Sequence, residues 1–269
     1  MGTIVRLEDG LKVACLRRSE ARVLDHHVRG YLDHGIQIRR GDVVFDIGAN
    51  IGLFAVRAVS VPEVRVFAFE PIPTIFKVLQ TNAQMHGGGR LKPMPFGISK
   101  ESGQLTFTYF PNSPALSSAH MEDWDKGNFE EAVRGQIEVS GDVMWYARLV
   151  PSFLSSLIAR YLKRGSQQVN CELQTVSEVM RQESLSHIDL LKIDCEGAEL
   201  DVLLGIDDDH WPHIGRVVAE VHDLDGRLDD IIEILGRHGF SNIHQEKEEG
   251  FEQTPLVNIY ASRQLEQTE

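Results

Sequence analysis

The sequence predicts an α/β protein, with a mostly parallel sheet, helices on both of its faces, an N-terminal segment and one insertion. Three observations predict it. Strand-like and helix-like patterns alternate between Gly41 and Ser99, the alternation stops at about Pro111, and it resumes near Leu173. Strand, helix, strand, helix, strand requires crossover connections, which are right-handed and give a parallel sheet.

Residues 1–40 are expected to form an N-terminal extension packed on the core. Residues 41–110 and 173–269 form the core itself, and residues 111–172 a lid or substrate insertion. Within the core, "VVFDI" from Val43 is a short apolar run, and "IGLFAVRAVS" carries helical spacing after it. "VRVFAFE" is again strand-like. "PTIFKVLQTNAQMHG" sets Ile75, Val78, Leu79 and Gln80 at helical spacing and ends near glycines. "LKPMPFGIS" reads as a third strand, and its two prolines suit a sheet edge. The stretch from Pro111 is rich in turn formers and charge. The following "VMWYARLVPSFLSSLIARYLKRG" reads as a helix interrupted near Pro151. Alternation then returns: "LQTVSEVMRQES" as a short helix, "IDLLKID" as a buried strand, "AELDVLLGI" as a helix and "RVVAEVHD" as a strand. "RLDDIIEILGRHGF" is amphipathic, with Leu228, Ile231, Ile232 and Leu235 on one face and Gly239 as its stop. "SNIHQEKEEG" and "LVNIYASR" close the chain as a pair of strands with a long loop.

The 269 residues carry a net charge of -13 and 42% hydrophobic residues, which argues against a nucleic-acid partner. A small or carrier-bound substrate suits that balance better. Cys15, Cys171 and Cys195 are three and far apart, as expected of free thiols in a reducing compartment. "MGTIVRLEDGLKV" has charges where a signal peptide needs an apolar run, and no stretch is long and apolar enough to suggest a membrane span. The expected location is cytoplasmic, with no membrane partner.

The turn after the first strand reads D-x-G-x-N-x-G: Asp46, Gly48, Asn50, Gly52. It is neither the G-x-G-x-x-G of a dinucleotide site nor a P-loop. Glycines there let the backbone approach a ligand at the carboxyl ends of the strands. Glu70, followed by Pro71, ends the second strand, where a carboxylate can accept both ribose hydroxyls and would repel a 2′-phosphate. The ligand therefore carries an unphosphorylated adenosine.

At these residues the sequence resembles a family. "DIGANIG", "FAFEP", "LQTNAQ" and above all "LLKIDCEGAELDVLLG" are similar to the FkbM-type branch of S-adenosylmethionine-dependent methyltransferases. The resemblance covers roughly residues 40–110 and 170–261. The opening, the approach "YLDHGIQIRRGDVVFDIGANIG" and the tail are similar to O-methyltransferase domains of modular polyketide synthases. The resemblance implies a Rossmann-like class I methyltransferase fold with a mostly parallel seven-stranded sheet, and S-adenosylmethionine as cofactor. It also implies a donor site: Gly48, Asn50 and Gly52 beside the methionyl part, Asp46 bracing that loop or reaching the donor amine, and Glu70 and Pro71 at the ribose. Gly97, Ile98 and Ser99 meet the adenine. Asn82 either joins that site or caps a neighbouring loop.

Methyl transfer to a hydroxyl requires a base with a pKa near the working pH, which histidine supplies. "KIDCEG" delivers Asp194 and Glu196 to a strand end, with Lys192 on the strand to neutralise a carboxylate. "AEVHD" puts Glu220 and His222 on one face of another strand. The expectation is His222 as the base, with Glu196 or Glu220 orienting its imidazole, and Asp194 beside them. The plainer alternative is a satisfied core histidine with Asp223 as a helix cap. His26, His27 and His120 receive less weight, and "DDDH" from Asp207 reads as solvated helix-end chemistry. No metal is expected, although Asp194, Glu196 and Glu220 leave metal assistance open. The expected function is O-methylation of a hydroxyl, the β-hydroxyl of a carrier-bound polyketide intermediate, with the chain free-standing or part of a larger synthase. Arg160, Lys163 and Arg164 are the candidate contact for an acidic carrier. A sugar hydroxyl or amine acceptor, or a non-catalytic nucleotide-binding module, are the alternatives.

Overall fold

A computed structural model describes residues 2–119, 160–247 and 255–263. The chain opens with β1 (Thr3–Arg6) and β2 (Lys12–Cys15), an antiparallel hairpin, and helix α1 (Arg18–Gly30). Next come β3 (Val43–Ile47), α2 (Leu53–Val59), β4 (Arg65–Phe69), α3 (Pro73–His86) and β5 (Leu91–Met94). The short β6 (Gly97–Ile98) with β7 (Gly103–Tyr109) and β8 (Gln167–Gln174) makes a separate sheet in the order β6-β8-β7. α4 (Val176–Gln182), β9 (Ile188–Ile193), α5 (Glu199–Leu204) and β10 (Ile214–His222) follow. α6 (Arg227–Arg237), β11 (Asn242–Glu246) and β12 (Leu256–Ser262) complete the fold.

The main sheet has seven strands in the order β11-β12-β10-β9-β3-β4-β5. Its five strands from β10 to β5 pair in parallel, and β12 alone is reversed, pairing antiparallel with β10 on one side and β11 on the other. This is the Rossmann-like α/β sheet that the resemblance implies. β5 lies at the edge, where Pro93 costs the ladder least. The chain lays β4 and β5 to one side of β3, then β9 and β10 to the other. A crevice for ligand opens at such a reversal, outside the carboxyl ends of β3 and β9.

Period-two alternation explains why the inner strands read as continuous apolar runs. Val44, Val66 and Ala68 belong to the core cluster that also takes in α1, α2 and α3. Val43, Phe45, Ile47, Phe67 and Phe69 join the opposite cluster with α4, α5 and α6. α1 is held on the first face by buried Ala21 and Val28 and by the Asp25 carboxylate, which accepts from Arg57 Nε at 2.7 Å. α6 buries Ile231 and Leu235, with Leu228 and Ile232 partly buried beside them, as its periodicity predicts. Gly239 takes φ +86 after its end.

Three local expectations need correction. In α3, Gln80 is exposed and the buried polar residue is Asn82. Asn82 accepts from Ala14 N at 2.7 Å and donates to Ala14 O and Ile51 O at 2.9 and 2.7 Å, so it caps the neighbouring loop. Leu173 and Gln174 extend β8 and do not start a helix. α4 begins after Thr175, whose side chain forms a capping box with Glu178. β8 also starts at Gln167, inside the stretch assigned to the insertion, because Gln167–Leu173 pair with β7. His120 and most of the interrupted helix lie outside the described residues.

Candidate active site

A cavity opens at the carboxyl ends of β3, β9 and β10. On one side Gly48, Asn50, Glu70, Pro71, Gly97, Ile98 and Ser99 line it, and on the other Asp194, Glu196, Glu220 and His222. The sequence-nominated residues converge there with two exceptions. Asp46 is fully buried behind the wall, its Oδ1 3.0 Å from Lys192 Nζ. Gly52 lies outside the lining and serves as the N-cap of α2, at φ +84. Both support the loop from beneath.

The glycines owe their place to protein neighbours. A Cβ on Gly48 would lie 1.7 Å from the Asp194 carbonyl oxygen, and one on Gly52 would lie 2.5 Å from Leu79 Cδ1. The Gly48 clash is with backbone and cannot be relieved by a rotamer. Gly52 faces a flexible side chain, so its cost is mainly the left-handed backbone. Gly52→Ala is expected to lower stability by about 1–2 kcal/mol. Chemical denaturation measures this, with donor affinity almost unchanged.

Lys192 knits the floor together. It is 2% exposed, sits 3.4 Å from Asp194 Oδ2 as well as beside Asp46, and donates to the Gly48 carbonyl at 3.2 Å. Burial opposes its charge, but Asp46 and Asp194 outweigh burial and hold the ammonium above the usual lysine range. Among the described lining residues it is the one lysine or arginine, and it is committed to two carboxylates. Such a site does not suit a pyrophosphate.

Glu70 is 5% exposed at the end of β4, and its Oε1 accepts from Ile72 N at 2.9 Å. Burial pushes its carboxyl up to about 7, against the pull of the Ile72 and Asn50 amides. Gly97 is close-packed: a Cβ there would meet Leu173 Cδ2 at 2.8 Å. With Ile98, Leu105 and Leu173 it gives an apolar slot beside Glu70. A ribose with two free hydroxyls, a planar base and a cationic tail fit these walls.

The opposite side is a cluster of acids around an imidazole. His222 Nε2 is 3.4 Å from Glu196 Oε2, and His222 Nδ1 is 3.4 Å from Glu199 Oε1. Burial disfavours a charged imidazole, yet the two carboxylates overcome it and hold His222 well above its ordinary pKa. Burial raises the Glu196 carboxyl to about 7, partly offset by His222. Burial also opposes ionisation of Glu199, but His222 and the Gly197 amide bring it below its usual value. Glu196 sits at φ +54, a left-handed turn that carries its side chain back over the strand end.

The sequence reading missed Glu199, which looks like an ordinary acid in the first turn of a helix but is completely buried. The nominated Glu220 is engaged elsewhere, with its Oε2 2.9 Å from His27 Nε2. Asp223 accepts from Leu228 N at 3.2 Å, so it does support the start of α6. At the "DDDH" loop Asp207 meets Arg181 at 2.5 Å and His210 Nδ1 meets Ser177 Oγ at 2.8 Å, as helix-end chemistry implies. Among the described residues no group of three or more His, Cys, Asp or Glu is placed to hold a metal ion. Among them, too, no helix is long and apolar enough to cross a membrane.

A parallel sheet reversing at a glycine turn, with a strand-end glutamate and, among the described residues, no lysine or arginine in the pocket left free for a phosphate, fits a class I, Rossmann-like methyltransferase. Residues 46–241 match the family model described as the methyltransferase FkbM domain, and the chain belongs to that family. It is 35% identical over 264 residues to the 31-O-demethyl-FK506 methyltransferase FkbM of Streptomyces tacrolimicus, covering 96% of both chains. It is 31% identical over 245 residues to methyltransferase sdnD of Sordaria araneosa, covering 86% of each. It is also 32% identical over 268 residues to the AMB antimetabolite synthetase AmbE of Pseudomonas aeruginosa, spanning 96% of this chain and 12% of that protein. The methyl donor is S-adenosylmethionine.

Proposed function

We propose that the protein transfers the methyl group of S-adenosylmethionine to a hydroxyl on an apolar acceptor, the β-hydroxyl of a carrier-bound polyketide intermediate. The observation that carries this reading is the Glu196–His222–Glu199 cluster on the acceptor side of the donor pocket. Bound S-adenosylmethionine supplies an electrophilic methyl on a good leaving group. The protein's work is to align the acceptor oxygen and to take its proton.

The proton acceptor is the Glu196–His222 pair. His222 lies between two carboxylates and stays cationic, so within the pair Glu196 takes the proton and His222 steadies the charge. This shifts the basic atom from the imidazole, where the residue types alone put it, to its neighbour. Glu70, Gly97 and Ile98 hold the nucleoside, and Asp194 faces the cationic end. Leu24 and Val28 of α1, Leu116 after β7 and Leu256 at the start of β12 give the acceptor side an apolar wall. That wall favours an acyl chain over a sugar, and FkbM, a relative at 35% identity, is named for methylating an oxygen of FK506.

The charge states predict a pH profile. A base with a pKa of about 7 is inactive when protonated, so kcat/KM for the acceptor at saturating donor rises about tenfold per pH unit below 7 and levels off above it. Glu196→Gln removes that rise together with most activity. A profile that falls from pH 6 to 8 contradicts the assignment.

Two finer points belong to the same proposal. The three cysteines are free, which suits a cytoplasmic enzyme. Arg160, Lys163 and Arg164, just before β8, offer a contact for an acidic carrier protein, whether the chain works alone or inside a larger synthase. Transfer of isotope-labelled methyl to a β-hydroxyacyl carrier, and not to free sugars or amines, tests the acceptor class. Tight donor binding without transfer to any acceptor would instead favour a non-catalytic module.

A further inference from the structure

Helix α1 and its C-cap residue place two polar side chains one turn apart, His27 and Tyr31, and both end at acids of the cavity. The Tyr31 hydroxyl donates to Asp194 Oδ2 at 2.9 Å. His27 Nε2 lies 2.8 Å from the Tyr31 oxygen and 2.9 Å from Glu220 Oε2. The tyrosine hydrogen is spent on Asp194, so at its other contact that oxygen accepts. His27 Nε2 therefore carries the hydrogen that Tyr31 and Glu220 share. One helix outside the sheet thus sets a carboxylate beyond β9 and another near the end of β10.

Anchoring α1 does not require this arrangement. Ala21 and Val28 bury its apolar side, Asp25 pairs with Arg57, and the Tyr260 hydroxyl donates to the Gly30 carbonyl at 3.0 Å. Tyr31 is 1% exposed, with its ring edge-on to Phe54 at 6.1 Å and the Lys192 ammonium 5.3 Å from its centroid. Its ring alone accounts for the packing, and its hydroxyl is aimed at Asp194. Burial works against ionisation of Asp194, but Lys192, His27 and the Tyr31 hydrogen bond hold its carboxyl below the usual range. An anion fixed at the lip of a pocket for a cationic donor is the outcome.

We propose that Tyr31 and His27 are positioning residues for methyl transfer. Tyr31 holds the Asp194 carboxylate toward the positive end of S-adenosylmethionine, and His27 holds the Glu220 carboxylate on the acceptor side. The donor half rests only on the cofactor; the acceptor half rests on the hydroxyl-methylation reading.

A double-mutant cycle on donor affinity tests the first half by calorimetric titration with S-adenosylmethionine. Tyr31→Phe is expected to raise Kd about tenfold, Asp194→Asn at least as much, and the double variant no further than Asp194→Asn alone. Independent, additive losses overturn the proposal, as does a lowered Tm with unchanged Kd, which would make the hydroxyl merely structural. Unchanged affinity in Asp194→Asn overturns it however Tyr31→Phe folds. For the second half, His27→Gln is expected to lower acceptor kcat/KM about tenfold, a larger effect than the rise in donor Kd it passes on through Tyr31 and Asp194. Unaltered kcat/KM, or a loss confined to donor binding, overturns that half. If the wild type methylates no hydroxyl, the reaction assignment fails while the donor cycle remains readable.

Discussion

His222→Ala is expected to bind S-adenosylmethionine as tightly as the parent and to lose about 10²–10⁴-fold in turnover, the usual range for removing a group that handles the proton. The imidazole contacts Glu196 and Glu199, across the cavity from Gly48, Glu70, Gly97 and Ile98, the residues that the proposal assigns to the nucleoside. Alanine leaves two buried carboxylates facing each other without their shared cation, and they respond by binding a proton. Glu196 then no longer accepts one near neutral pH. The variant is expected to regain part of its rate at higher pH, where Glu196 ionises again. Calorimetry for the donor and a methyl-transfer assay between pH 6 and 9 separate these effects. Full activity in a folded His222→Ala protein contradicts the role given to the cluster.

Glu70→Ala is expected to weaken S-adenosylmethionine binding about 100-fold. Hydrogen bonds to a charged acceptor contribute roughly 1.5–3 kcal/mol each, and a ribose offers two hydroxyls. Part of the loss would be local, because Oε1 also accepts the Ile72 amide that starts α3. Glu70→Gln keeps an oxygen for that amide and isolates the ribose contribution. Burial has raised this carboxyl to about 7, and the ribose hydroxyls favour its ionised form. Donor binding in the wild type should therefore release protons near pH 6, tighten as pH rises through 7, and lose that dependence in Glu70→Gln. Calorimetry in buffers of different ionisation heat reads the proton directly.

The parallel order of the sheet was legible because its strands are apolar runs between helical periods, and the edge position of β5 because of Pro93. The reversal at β3 then put Gly48, Asn50, Glu70, Asp194, Glu196 and His222 around one crevice. What escaped reading came from contacts distant in sequence. Glu199 looks like a helix-start acid, and only the packing of α5 under β10 turns it toward His222. His27 in α1 and Tyr31 at its C-cap are far from Glu220 and Asp194 along the chain, and no local pattern joins them. For the same reason the proposed base shifts from His222 to the Glu196–His222 pair. Residue types name a histidine, but the carboxylates on both of its nitrogens decide where the proton rests.

The most direct measurement is transfer from methyl-labelled S-adenosylmethionine to paired acceptors that differ only in carrying a hydroxyl or an amine on the same acyl chain, read by mass spectrometry of the product. The proposed chemistry predicts one labelled methyl ether on the hydroxyl compound, lost with His222→Ala and Glu196→Gln. Label found only on nitrogen, or unchanged transfer in both variants, would contradict it.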